Sequence, residues 1–397
     1  MTESPIRPRL LSRARAGAIA TVTAASIVAS VGASTTAAAS YRATRATVSA
    51  PYMSGMSVAP GTNTAWAVGT DYTSRSQSGV VWTSSGGAWT QLKGVPDSAG
   101  ASFTSVFALS ARDVWVEGTS YSTGGSGSTY FLIWNGASWQ KLAMTLPPAL
   151  VNAGYSLTQT ALINAHDIWA IAQSCSGTGC QTTLVQFNGT AWAQVTPPLL
   201  AKAYVVGLAA SSATNVWVTA GTCSPQRGTC TAPFALEYNG TWRKLAIPGV
   251  LGISPRSLAV ESPANVWLAD SVVARFNGTR WIVQGDRTPI YASAIAPFGA
   301  QSAWVTSQST HPLSRFNGVT GAPVPLALPG HSPGLEAAAA ASPRSAWVIG
   351  SAWVGKICAS SSFAFAFHWS GARWLKVAVP PSATLGALSK TRLIAHC

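Results

Sequence analysis

The residues able to do chemistry are few and scattered. The 397-residue chain carries 11 acids, 25 Lys and Arg, five His and six Cys. Hydrolysis of a glycosidic bond needs two facing carboxylates, one of them held protonated. Asp71, Asp97, Asp270 and Asp286 are candidates, yet no spacing pairs them. Neither His-Glu-x-x-His nor a phosphate loop occurs. The cysteines are better placed for disulfides. Cys175 and Cys180 are close in sequence, as are Cys223 and Cys230, and Cys358 is left with Cys397. An even number in an exported chain reads as three bridges. Zinc would need four ligands, and only His166 lies near these cysteines in sequence, so no metal and no cofactor are expected.

Export itself is legible. Arg7, Arg9, Arg13 and Arg15 precede an apolar stretch from Ala16 to Gly32, and Ala37-Ala38-Ala39 offers a cleavage site. A basic start, an apolar middle and a small-residue exit make a secretory signal over residues 1–39. Residues 40–50 then read as a linker, and no later segment is apolar enough to span a membrane. The protein is expected outside the cell, in the medium or at the cell surface. Net charge is +14, but Lys and Arg stand singly and form no strip for a row of phosphates, so nucleic acid is not expected as a partner. Charged residues are only 9%, against about 25% in an ordinary soluble domain.

The elements that must position these residues come from a repeat. A Trp-centred strand recurs at Trp66, Trp115, Trp169, Trp217, Trp267, Trp304 and Trp347. Asp113, Asp167, Asn215 and Asn265 stand two residues before four of them. A second motif, aromatic-Asn-Gly followed by Trp, alternates with the first, as in Trp134-Asn135-Gly136 to Trp139 and Phe276-Asn277-Gly278 to Trp281. Units of roughly 47 residues, each with four short strands and an Asn-Gly hairpin, predict a seven-bladed β-propeller over residues 51–380. The third unit reads as strands Ser156–Ile163, Ile168–Ala172, Thr183–Phe187 and Ala191–Val195. Residues 381–397 then form a tail that a Cys358–Cys397 bond would tie to the last blade. The repeated tryptophans are assigned to packing between blades. The Asn-Gly-Thr triplets at Asn188, Asn239 and Asn277 are assigned to turn geometry.

The units resemble the blades of secreted bacterial propellers of the kelch, galactose-oxidase-like and Asp-box (sialidase-like) group. The Gly136/Trp139, Gly189/Trp192 and Gly278/Trp281 spacing is similar to the tail of an Asp-box, with Asn in place of its Asp. The resemblance implies architecture and carries no activity. A sialidase-like site would need more arginines than Arg256 and Arg287, and copper-radical chemistry would need ligands that the dispersed His do not supply.

Topology then selects a face. In a four-stranded meander, the loops between the second and third strands emerge beside the links between blades. Variable loops on a rigid frame are the usual seat of binding. At the starts of the innermost strands stand Tyr52, Phe103, Tyr155, Tyr204 and Tyr291, an aromatic ring about the mouth, with Arg256, Arg287 and His331 in the links. The expected function is a secreted binding module for an extracellular polysaccharide or protein. The alternative is a carbohydrate-active hydrolase or lyase with acids in the central opening.

Overall fold

The computed structural model describes residues 51–72, 77–121, 127–176, 179–195, 197–200, 203–224, 229–248, 257–284, 291–354 and 361–380. The signal, the linker, the tail, Arg256, Asp286, Arg287, Cys358 and Cys397 lie outside them. The described residues form an all-β, seven-bladed propeller, each blade a sheet of four antiparallel strands in sequence order. The innermost strands are Tyr52–Val58, Ala101–Ser110, Ser156–Asn164, Tyr204–Ser212, Ser257–Ser262, Ala292–Phe298 and His331–Ser342. Blade 1 holds all four of its own strands, and blade 7 likewise, so the ring closes without exchanging a strand. Trp89 N–H of blade 1 instead donates to Ala378 O beyond the last strand of blade 7, at 2.9 Å.

Strand bounds in the third unit are Ser156–Asn164, Asp167–Ser176, Gly179–Phe187 and Trp192–Gln194. Its second and third strands run further than the sequence predicts, because their ladder continues to the Cys175 and Cys180 pair. The blade links also hold a short helix, Pro148–Asn152, and a 3-10 turn, Pro198–Leu200, where Pro opens each. The helical turns escape periodicity because each is shorter than one amphipathic repeat.

The Asn-Gly hairpins close differently from a two-residue turn. Trp134 pairs with Trp139 and Phe187 with Trp192, leaving four residues in each loop. Asn188 Oδ1 accepts from the Thr190 and Ala191 N–H groups at 3.0 Å each, and Asn277 repeats this with Thr279 and Arg280. Only the glycine then needs a left-handed backbone. The glycines of the five Asn-Gly hairpins, Gly136, Gly189, Gly240, Gly278 and Gly318, and of the two Ser-Gly ones, Gly86 and Gly371, have φ between 88° and 104°. Asn is therefore selected for its side-chain acceptor and Gly for its φ.

One packing rule joins the blades. The second-strand Trp of each blade lies against the aromatic pair of the next. Trp169 meets Trp242 at 5.8 Å between centroids, Trp217 meets Trp281 at 5.9 Å, and Trp304 meets Trp374 at 5.0 Å. The ring closes with half of that pair, Trp347 of blade 7 lying 5.3 Å from Trp89 of blade 1 while Ser84 stands in the place of the first aromatic. Burying one indole removes roughly 150–250 Å² from water, an upper figure of about 4–6 kcal/mol each. A hydrogen bond nets about 1 kcal/mol, so the indoles dominate the junctions. Blade 6 departs from the rule: Gly321 stands where the second aromatic would be, and Trp267 is met by Phe316 alone.

The Asp or Asn ahead of the Trp has its own chemistry. Asp113, Asn215 and Asn265 accept the indole N–H of Trp115, Trp217 and Trp267 at 2.8, 2.8 and 2.9 Å. Where Thr64, Ser302 or Ser345 stands there, the N–H groups of Trp66, Trp304 and Trp347 have no partner. Asp167 is the exception, for its Oδ1 accepts from Gln186 Nε2 and leaves Trp169 uncapped.

Glu117 is sealed between blades 2 and 3. Its Oε2 accepts from Thr160 Oγ1 at 3.0 Å. Burial pushes its carboxyl up, partly opposed by hydrogen bonds from Ser105 and Thr160. A raised carboxyl favours the fold while protonated, and that contribution is lost as pH rises through its folded value. Glu117→Gln keeps an acceptor without the charge. It is expected to raise the melting temperature at neutral pH and to leave a smaller gain on acidification than the parent shows. Calorimetry across that range checks both.

Candidate functional site

Each innermost strand begins on the side that carries the loops between second and third strands. This places the aromatic residues named above, but not in one role. Tyr52 is 38% and Tyr291 65% exposed. Phe103 is fully buried, and its ring lies against Gly79, whose missing side chain makes the room. Phe103 thus belongs to the core, a correction to the aromatic ring. Its strand bulges at the next residue, Thr104, and Phe103 faces the blade interior.

Tyr155 and Tyr204 are half-buried and brace one hairpin. Tyr155 Oη donates to Gln181 Oε1 at 3.3 Å, and Tyr204 Oη accepts from Gln173 Nε2 at 2.8 Å. Gln173 and Gln181 belong to the strands that end at the Cys175–Cys180 disulfide. Tyr155 also lines a cleft of about 240 Å³ between blades 2 and 3, with Met144, Leu146 and Val151. In blade 4, Cys223 and Cys230 stand directly opposite each other in the corresponding hairpin.

The mouth beside blades 1 and 7 gathers the polar groups. Tyr52 Oη donates to Glu336 Oε2 at 3.0 Å across the junction, and Ser351 Oγ donates to Glu336 Oε1 at 3.3 Å. Tyr72, 47% exposed, lies on the same face of the sheet as Tyr52, diagonal to it across the ladder. Burial, the Glu336 charge and the bond to Glu336 push the Tyr52 hydroxyl up to about 12, so it remains a donor at all physiological pH. Burial also pushes the Asp71 carboxyl up. His331 is exposed at the start of the blade 7 inner strand.

Glu336 was not among the candidate residues, and its place has a reason. The inner strands of six blades bulge by one residue, at Ser54, Thr104, Thr158, Val206, Ser293 and Glu336. Ser54 Oγ and Ser293 Oγ each donate to the carbonyl before the next bulge, Phe103 O at 2.7 Å and Leu335 O at 2.9 Å. At the closing junction the bulge carries an acid that accepts from Tyr52 instead. The sequence signal was present: Glu336 stands as far ahead of Trp347 as Thr104 stands ahead of Trp115.

Gly-x-Ser-x-Gly, expected to be absent from the sequence, is present once. Gly330-His331-Ser332-Pro333-Gly334 spells Gly-x-Ser-x-Gly, and Ser332 has φ 45°. The segment opens an inner strand rather than a strand-to-helix turn, and among the described residues no base is hydrogen-bonded to the Ser332 hydroxyl. The context required of a nucleophile elbow is missing.

Three further acids are held in the frame. Glu237 pairs with Arg243, Asp97 with Lys141 at 3.3 Å, and Glu261 accepts from Asn265. Among the described residues, no helix is long and apolar enough to cross a membrane.

No protein-family model matches the chain, and no curated protein matches it. Solved structures do. An acylaminoacyl peptidase of Pyrococcus horikoshii is 8% identical over 82% of this chain and 52% of its own, with a TM-score of 0.51. A xyloglucanase of Xanthomonas campestris is 15% identical over 80% and 55%, with a TM-score of 0.49. The fucose-recognising Aleuria aurantia lectin, a six-bladed propeller, is 10% identical over 84% and 97%, with a TM-score of 0.44. The likeness is one of fold. The chain spans about half the length of the peptidase and xyloglucanase chains. The narrower kelch, galactose-oxidase-like and Asp-box grouping finds no support beyond the propeller itself.

Proposed function

We propose that the chain is a secreted binding module whose loop-bearing face grips an extracellular polysaccharide. The observation that carries this reading is the exposure of Tyr52 and Tyr291 at the starts of inner strands, on a frame that buries Phe103 and braces Tyr155 and Tyr204. An exposed ring on a rigid support offers a flat apolar surface to a sugar face at low entropic cost. Tyr72 adds a second ring beside it, the Tyr52 hydroxyl, whose proton goes to Glu336, keeps its lone pairs to accept, and His331 stands at the same mouth. The signal in residues 1–39 and the Cys175–Cys180 disulfide both suit an oxidising, extracellular compartment. The commitment of most acids to structural partners favours binding over hydrolysis or elimination.

A glycan array probed with the full chain tests this. Tyr52→Ala with Tyr291→Ala is expected to weaken retained glycans by about tenfold, the worth of roughly 1.4 kcal/mol of stacking, with the melting temperature unchanged. Tyr52→Phe keeps the ring and is expected to retain most of the binding. Unaltered retention in the double variant contradicts the reading, and retention of an extracellular protein in place of any glycan replaces the ligand class.

A further inference from the structure

Two grooves on the outer rim share one design and lie away from the loop-bearing face. Each forms where the chain leaving the fourth strand of one blade passes the hairpin between the third and fourth strands of the next, Asn135-Gly136 in blade 2 and Ser370-Gly371 in blade 7. Between blades 1 and 2 the groove holds about 480 Å³, lined by Leu92, Lys93, Pro96, Trp134 and Trp139. Between blades 6 and 7 it holds about 530 Å³, lined by Val324, Leu326, Trp369, Arg373, Trp374 and Lys376. The two are equivalent in register. Leu92 N–H donates to Val81 O and Val324 N–H to Leu313 O, each at 2.9 Å. Their indole pairs also match, Trp134 and Trp139 at 5.3 Å and 47°, Trp369 and Trp374 at 5.8 Å and 48°.

All four indoles are half-buried, with part of each ring left to the groove. Between blades 2 and 3 the same place is filled, for Met144 and Leu146 pack over Phe187 and Trp192, and Trp192 is buried. The open grooves are therefore not a necessary product of the repeat. Their rims carry Lys93 at the first groove and Arg373 and Lys376 at the second, two blades away round the ring, all exposed. No acid lines either groove, and the nearest in sequence, Asp97, is held by Lys141.

We propose that these two grooves bind an acidic polysaccharide of the uronic-acid type, its sugar rings against the indole pairs and its carboxylates against Lys93, Arg373 and Lys376. Aromatic faces match the apolar faces of pyranose rings, and exposed Lys and Arg supply the charge that a neutral glycan would not use. Two such sites on one rigid ring let a long chain engage both, which strengthens retention without new contacts.

The test uses the full chain and polygalacturonate, with polyphosphate as a ringless polyanion, in affinity electrophoresis. Lys93→Glu, Arg373→Glu and Lys376→Glu together are expected to weaken polygalacturonate binding by about tenfold or more, with the melting temperature unchanged. Arg280→Glu and Lys244→Glu reverse two exposed charges on blades 5 and 4, away from either groove, and are expected to leave binding within about twofold. Polyphosphate is expected to bind more weakly than polygalacturonate. Tyr52→Ala with Tyr291→Ala is expected to change none of this, which separates these grooves from the loop face. Equal losses in the two charge-reversed variants, equal binding of polyphosphate, or no binding of polygalacturonate overturns the proposal.

Discussion

Trp347→Ala is expected to be among the most damaging single changes in the propeller, costing about 3–5 kcal/mol. Its indole is fully buried, stacked at 4.1 Å on His368 and set edge-on at 5.3 Å from Trp89. The Trp89 contact joins the last blade to the first, where no shared strand reinforces the ring. Removing the ring leaves a cavity at the closing junction that rigid sheets on either side cannot collapse into. Trp347→Phe keeps an aromatic face and is expected to cost less than half as much. Denaturant unfolding of both variants against the parent gives the comparison. A loss under about 1 kcal/mol for Trp347→Ala would mean that the closure is held elsewhere.

Asn265→Ala follows, by a polar rather than an apolar route. Asn265 is 4% exposed and joins four partners. Its Oδ1 accepts from Trp267 Nε1 at 2.9 Å and Arg275 Nε at 2.8 Å, while its Nδ2 donates to Glu261 and to Gly299 O. Alanine strands a buried indole N–H and weakens the hold on a buried guanidinium. The expected loss is about 3 kcal/mol, since each orphaned buried group costs roughly 1–3 kcal/mol and a charged one more. Asn265→Asp preserves the acceptor, as Asp113 does for Trp115, and is expected to cost less. Equal losses for Ala and Asp would show that the donor side of Asn265, not the indole cap, matters.

The architecture was legible because each repeat writes the same physics. Trp at the second strand and Asn-Gly at the hairpin reappear in phase, and both prove to be local requirements: an indole between blades, a side-chain acceptor followed by a left-handed backbone. The Asp or Asn ahead of the Trp was visible as a pattern, but its partner was not, because an indole cap two residues away looks like any turn acid. The site was read less well. Phe103 and Tyr52 stand 12 and 14 residues ahead of their tryptophans, but in register Phe103 matches the buried Met53 rather than Tyr52, so alternation turns it inward while Tyr52 stands exposed. The inner-strand bulges change which residue faces which side, and a bulge leaves no mark in an alternation of only a few residues. Glu336 was missed for the same reason. Its partner Tyr52 is 284 residues away in sequence, brought near only when the ring closes.

Hydrogen–deuterium exchange of the full chain, with and without a neutral glycan retained on the array, is the most direct measurement of the central claim. Protection at the starts of the inner strands near Tyr52, Tyr291 and His331, and at the neighbouring loops, is the result this account predicts. Protection confined to the opposite, Asn-Gly hairpin side would contradict it.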